Sequence, residues 1–165
     1  MLMLSLAAIT VSGATKLTEA VESGDLLGVL RLLAQRVDVN EKNVKSGWAP
    51  LHVAATSGNV DVLRALLKVP GVDINIRIGN FNSGGLYRGQ TALLRAAYTA
   101  NADAVDLLLS QPDIDIDRQT FDGDTALGWA YANGPLGLRI QNALKARGAV
   151  CRCMSSACRT SAKGC

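Results

Sequence analysis

A four-fold register constrains this chain more than any other feature. When Leu17, Leu51, Leu93 and Leu127 share a column, the turn glycines Gly13, Gly47, Gly89 and Gly123 align, as do Ala20, Ala54, Ala96 and Ala130. In the first three copies a leucine pair follows, at Leu32-Leu33, Leu66-Leu67 and Leu108-Leu109. An alternating run closes each of them: Val37-Asp38-Val39-Asn40, Val72-Asp73-Ile74-Asn75 and Ile114-Asp115-Ile116-Asp117. A period near 34 residues, carrying two short helical patterns and a turn, is too thin to bury its own apolar side. Each copy must be covered by the next, which predicts a stacked solenoid. With hydrophobic residues at 48% but aromatics at only 4%, the core has to be built from Leu, Val, Ile and Ala. That suits thin helical layers.

The second copy is the best formed. Gly47-Trp48-Ala49-Pro50-Leu51-His52-Val53-Ala54-Ala55 is followed by Gly58, the leucine pair and Val72-Asp73-Ile74-Asn75. Pro50 suits a first helical position, where its missing N–H has no partner to lose. These residues resemble the ankyrin repeat, over about residues 13–149. The resemblance implies an all-α fold, an ankyrin-repeat solenoid of stacked helix-turn-helix units with projecting β-turn loops. It also implies protein binding, without naming a partner. In that family a histidine at position 52 bonds within its turn and supports the neighbouring repeat. Here the accompanying threonine is replaced by Ala49, while Thr15, Thr91 and Thr125 are followed by Thr18, Leu94 and Gly128 where histidine would stand. No copy holds both partners, so weaker turn networks are expected.

The chain divides into an apolar segment 1–12, an array 13–149 (13–46, 47–88, 89–122 and 123–149) and a basic cysteine-bearing tail 150–165. Thr15 is expected to cap the first helix. Gly28, in the column of Val62, predicts a thinner first layer. Ala100 stands in the column of Gly58, so Asn101 is expected to take the left-handed conformation. The fourth copy drifts at Gly134-Pro135-Leu136-Gly137 and carries charge on its last helix, near Leu138 to Ala146, as a terminal cap facing water would. Gly148 suits its stop.

Candidate contact residues are those outside the core columns. The interval from Leu51 to Leu93 is 42 residues, against 34 for its neighbours, and the surplus lies in Ile76–Arg88. Long loops on a rigid scaffold collect binding residues, and aromatic and arginine side chains dominate interface centres. Phe81, Tyr87 and Arg88 on this loop, Trp48, Gln90 and Phe121 on the tips, and Arg95, Tyr98 and Trp129 on the inner helices form the expected partner-binding set. Trp48 shares its column with Gln90 and Asp124, which predicts exposure; packing on the adjacent long loop is the alternative.

Catalysis is not expected. The sequence holds no phosphate loop, dinucleotide fingerprint or nucleophile elbow, and His52 is its only histidine, which removes most triads and histidine-based metal sites. No cofactor or metal is predicted, the partner is a protein, and no nucleic acid is expected. Asp113, Asp115 and Asp117 read as the solvent side of an extended run. The net charge of +3 hides an asymmetry: all 14 acidic residues lie at or before Asp124, and six basic residues follow it. Residues 1–14 read either as a secretory signal or as a segment packed on the open side of the first repeat. Cys151, Cys153, Cys158 and Cys165 read as part of a disordered end. Disulfide bonding, acylation or metal binding in an exported or membrane-associated protein is the alternative. A cytoplasmic monomer is expected, secreted or periplasmic if the signal operates, with either terminus available for membrane contact.

Overall fold

The computed structural model describes residues 16–79 and 89–150. The cap at Thr15, the segment 1–14, the loop residues Phe81, Tyr87 and Arg88, and the tail cysteines lie outside them. The described residues form helices joined by turns, with no strand among them. These are α1 (16–22), α2 (Leu26–Ala34), α3 (Pro50–Ser57), α4 (Val60–Leu67), α5 (Ala92–Tyr98), α6 (Ala102–Leu109), α7 (Ala126–Ala132), a 3-10 turn at Gly134–Gly137, and α8 (Leu138–Ala146). Consecutive helices α3 and α4, α5 and α6, and α7 and α8 pack as pairs. Down the stack α3 packs on α5 and α5 on α7 as an inner row, while α2, α4, α6 and α8 follow one another as an outer row. The core runs between the rows. Leu17, Leu51, Leu93 and Leu127, the residues that set the register, are at most 2% exposed, as are Leu63, Leu66, Val105 and Leu108. The first layer is thinner at Gly28, whose column-mate Val62 is fully buried.

Helix starts follow local chemistry. Asp25 and Asn59 accept from the backbone N–H groups of Gly28 and Val62, and Thr91 and Thr125 from those of Leu94 and Gly128. α3 begins at Pro50 without a side-chain cap on its own N-terminal amides. There His52 reaches back, its Nδ1 accepting from the Ala49 N–H at 3.0 Å. At the inner helices α3, α5 and α7, threonine and histidine thus substitute for each other, one of them closing each turn. Gly148, at φ +86, ends α8 as expected.

Two rows of side-chain staples tie the layers and were not anticipated. Asn40 accepts from the Asp73 N–H and donates to the Gly71 carbonyl. Asn75 repeats this one layer on with Asp115 and Asp113, and Asp117 accepts from the Val150 N–H. The closing residue of each alternating run is therefore a clamp on the next layer. On the opposite edge Asn101 donates to the Ala55 and Thr56 carbonyls at the end of α3, and Asn133 to those of Ala97 and Tyr98 at the end of α5. This corrects the expectation for Asn101. Its side chain is committed to the preceding layer, its φ stays negative at −81, and Ala100 takes the left-handed conformation at φ +57. The basic end is partly compensated too, because Arg139 pairs with Asp103 and Asp106 of α6.

Candidate protein-interaction face

The inner helices and the tips between layers share one side of the stack. Tip geometry is set by glycine turns closed by backbone hydrogen bonds. Asn43 and Trp48 bracket the first tip, where the Asn43 N–H donates to the Trp48 carbonyl at 2.8 Å. Thr120 and Asp124 bracket the third in the same way at 2.9 Å, with the Thr120 hydroxyl accepting from the N–H groups of Asp122 and Asp124. The longer second loop begins as an extension of the core. Ile76 and Ile78 are buried, and the Ile78 N–H donates to the Gln90 carbonyl. Neighbouring tips also touch. The Gly79 N–H donates to the Gly47 carbonyl, and Arg77 donates to the Gln119 carbonyl while its guanidinium lies 5.3 Å from the Phe121 ring centre. Gly89 permits this closeness. It sits at φ +75, and a Cβ there would come within 3.1 Å of the Phe121 backbone nitrogen.

Arg95 on α5 is the hub of the face. Its guanidinium is held between two rings, 4.7 Å from the centre of Trp48 and 4.9 Å from that of Tyr98. Its Nε donates to the Thr56 hydroxyl and its Nη1 to the Gln90 side-chain oxygen. Tyr98 in turn meets Trp129 of α7 edge-on, with ring centres 4.8 Å apart. Trp48, Arg95, Tyr98 and Trp129 therefore form one connected cluster across three layers. Cation–π contacts of this kind gain strength when desolvated, and they fix side chains that would otherwise be mobile.

Several predicted surface residues are placed differently from expectation. Trp48 is half-buried under Arg95, not freely exposed, and Arg95 and Gln90 are buried at 4% exposure each. Long side chains fold back onto aromatic faces because the guanidinium plane keeps its hydrogen bonds there at little desolvation cost. Thr120 is buried and holds its own turn. Tyr98 in the cluster and Phe121 on the neighbouring tip are exposed, at 39% and 53%. The indole Nε1 of half-buried Trp129 is itself buried and has no hydrogen-bond acceptor.

His52 lies beneath this face, fully buried and edge-on to Trp48. Because Nδ1 accepts from Ala49, the ring proton belongs on Nε2, which donates to the Ile76 carbonyl at 2.9 Å. The histidine thus joins the start of α3 to the segment leading into the second loop. Burial pushes its pKa down to about 4, and the charge of Lys42 acts in the same direction; the carbonyls of Ile76 and Gln90 oppose them.

Comparison with known proteins explains this architecture. A family model described as ankyrin repeats (3 copies) matches residues 2–78, and one described as ankyrin repeats (many copies) matches residues 51–109. The chain is similar to alpha-latrotoxin-Lg1a of Latrodectus geometricus, at 31% identity over 124 residues, which is 74% of this chain and 8% of the toxin. It is similar to transient receptor potential cation channel subfamily A member 1 of Homo sapiens, at 32% identity over 99 residues, 60% of this chain and 8% of the channel. Protein phosphatase 1 regulatory subunit 27 of Homo sapiens is 40% identical over 65 residues, 39% of this chain and 42% of that protein. The matches thus span under a tenth of the toxin and the channel and under half of the subunit. Helix pairs, turns, inter-layer clamps and family matches agree, and the chain belongs to the ankyrin repeat family.

Proposed function

We propose that this chain engages a protein partner through the inner-helix and loop-tip face, with the Trp48–Arg95–Tyr98–Trp129 cluster as the energetic centre; its repeats, of a family that is generally non-catalytic, support a protein-interaction module. The observation that carries this reading is the contact of the Arg95 guanidinium with both the Trp48 and Tyr98 rings. Aromatic and arginine side chains already fixed in place lose little entropy on binding, and interface energy concentrates in such anchors. Tyr98 and Phe121 make first contact. The test places a photo-crosslinking residue at Tyr98, at Phe121 and, as control, at Arg64 on the outer row. A partner trapped from the first two sites and not from Arg64 is then titrated against Tyr98→Ala and Phe121→Ala. Affinity should fall about 30-fold or more, equivalent to roughly 2 kcal/mol for losing an anchor, with the melting temperature unchanged. Equal trapping at Arg64, or unchanged affinity in both variants, would reject this face.

A further inference from the structure

Helix α2 is apolar almost all the way round. Of its nine residues, Leu26–Ala34, only Arg31 is polar, and a helix that is hydrophobic on every side is one that is covered on every side. The described residues cover one side of it. Val29 is fully buried, and Leu32 is half-buried where its column-mates Leu66 and Leu108 are completely enclosed. Leu27 and Leu30 stand 75% and 47% exposed. The register sharpens the contrast. Leu27 shares its column with Asp61 and Asp103, and Leu30 with Arg64 and Asp106, all four of them exposed. Two columns that carry charge into water in the second and third layers carry leucine in the first.

We infer that residues 2–11 of the same chain dock along this side of α2, against Leu27, Leu30 and the open flank of Leu32. The segment reads Leu-Met-Leu-Ser-Leu-Ala-Ala-Ile-Thr-Val, with eight apolar residues of ten and no charge. Only four residues separate it from the start of α1 at residue 16. Such a tether raises its effective concentration at the face to the order of millimolar, which a second copy or a membrane has to match from solution. Its reach suffices: ten residues span about 15 Å even when helical, against about 13.5 Å for the nine of α2. The family match also extends over residues 2–78, counting these residues with the repeats. This surface belongs to the outer row of the first layer and is separate from the Arg95 cluster, so the inference stands or falls independently of the proposed function.

The test uses the full chain with a photo-crosslinking residue at Leu27 or, separately, at Leu30. Irradiated protein is sized and the crosslinked peptides are mapped by mass spectrometry. A monomeric product joined to a peptide within residues 2–11 is expected. A covalent dimer, a lipid or detergent adduct, or purified protein lacking residues 2–11 would overturn the inference. Hydrogen exchange supplies the second readout. In a Leu4→Asp/Leu6→Asp variant, amides of residues 16–34 should exchange at least tenfold faster while those of α7 and α8 keep their rates. Equal rates throughout would also overturn it.

Discussion

His52 gives the sharpest test of how the second layer is held together. Its ring is fully buried, with Nδ1 taken by the Ala49 N–H and Nε2 bonded to the Ile76 carbonyl. A second proton would therefore set an N–H against an N–H in a site closed to bulk solvent. Folding lowers the pKa from the ordinary 6.5 to about 4, so the unfolded chain binds this proton more readily than the folded one. The sign follows: the contribution is fully present above pH 6.5, shrinks as pH falls towards 4, and changes no further below that. At about 1.4 kcal/mol per pH unit the whole shift corresponds to about 3 kcal/mol, of which about 2 kcal/mol is lost between pH 7 and pH 5. Because His52 is the only histidine, urea unfolding at pH 7, 6 and 5 reads it with little carboxylate contribution. His52→Gln should lower stability at pH 7 and flatten the slope across that window. An imidazole Cε1 proton resonance titrating near 6.5, or wild-type stability constant from pH 7 to 5, would refute the argument.

Other perturbations address the stack. Leu108→Ala removes a completely buried side chain from the third layer and should cost roughly 2–5 kcal/mol in chemical denaturation. Asn75→Ala removes the bonds to the Asp113 carbonyl and the Asp115 N–H; the expected loss is about 1–3 kcal/mol, with faster hydrogen exchange on both sides of the broken clamp. Ala100→Gly should stabilise by about 0.5–1 kcal/mol because the left-handed backbone at φ +57 is unfavourable for a residue with a Cβ. The reverse change, Gly58→Ala, should destabilise by more, since its Cβ would come within 2.9 Å of the Asn101 side chain that closes α3. Thermal melts of the two variants should move in opposite directions.

The fold was legible because its signals are local and recur. Core columns, Pro50 at a helix start and Gly148 as a stop each act within a few residues, and four copies allow one to check another. The clamps were not legible. Asn40 and Asn75 look like the polar half of an alternating run until the next layer's backbone arrives 31 to 40 residues later. Asn101 followed the same logic. A general preference of asparagine for positive φ pointed to a turn, but its amide finds two carbonyls on α3, and the strain passes to Ala100. Exposure on the inner face was misjudged for a related reason. Register tells which residues leave the core, not whether a long side chain then reaches water or lies across a neighbour, and Arg95 does the latter through Trp48 and Gln90.

The register also serves as an internal control for choosing a binding centre. A column that repeats through the layers is explained by stacking alone. One that breaks needs a cause particular to its layer. Trp48 stands in a column with Gln90 and Asp124, Arg95 and Trp129 with Glu19 and Val53, and Tyr98 with Glu22 and Thr56. Substitutions scattered on a solvated surface have no reason to meet. These three broken columns do meet, through contacts of 4.7, 4.9 and 4.8 Å that run from Trp48 through Arg95 and Tyr98 to Trp129. Stacking alone does not call for these residues, since the same columns carry Glu19, Glu22 and Val53 in the first two layers. The binding face we propose is one cause of that kind, since rings and a guanidinium already held in place would lose little entropy on meeting a partner.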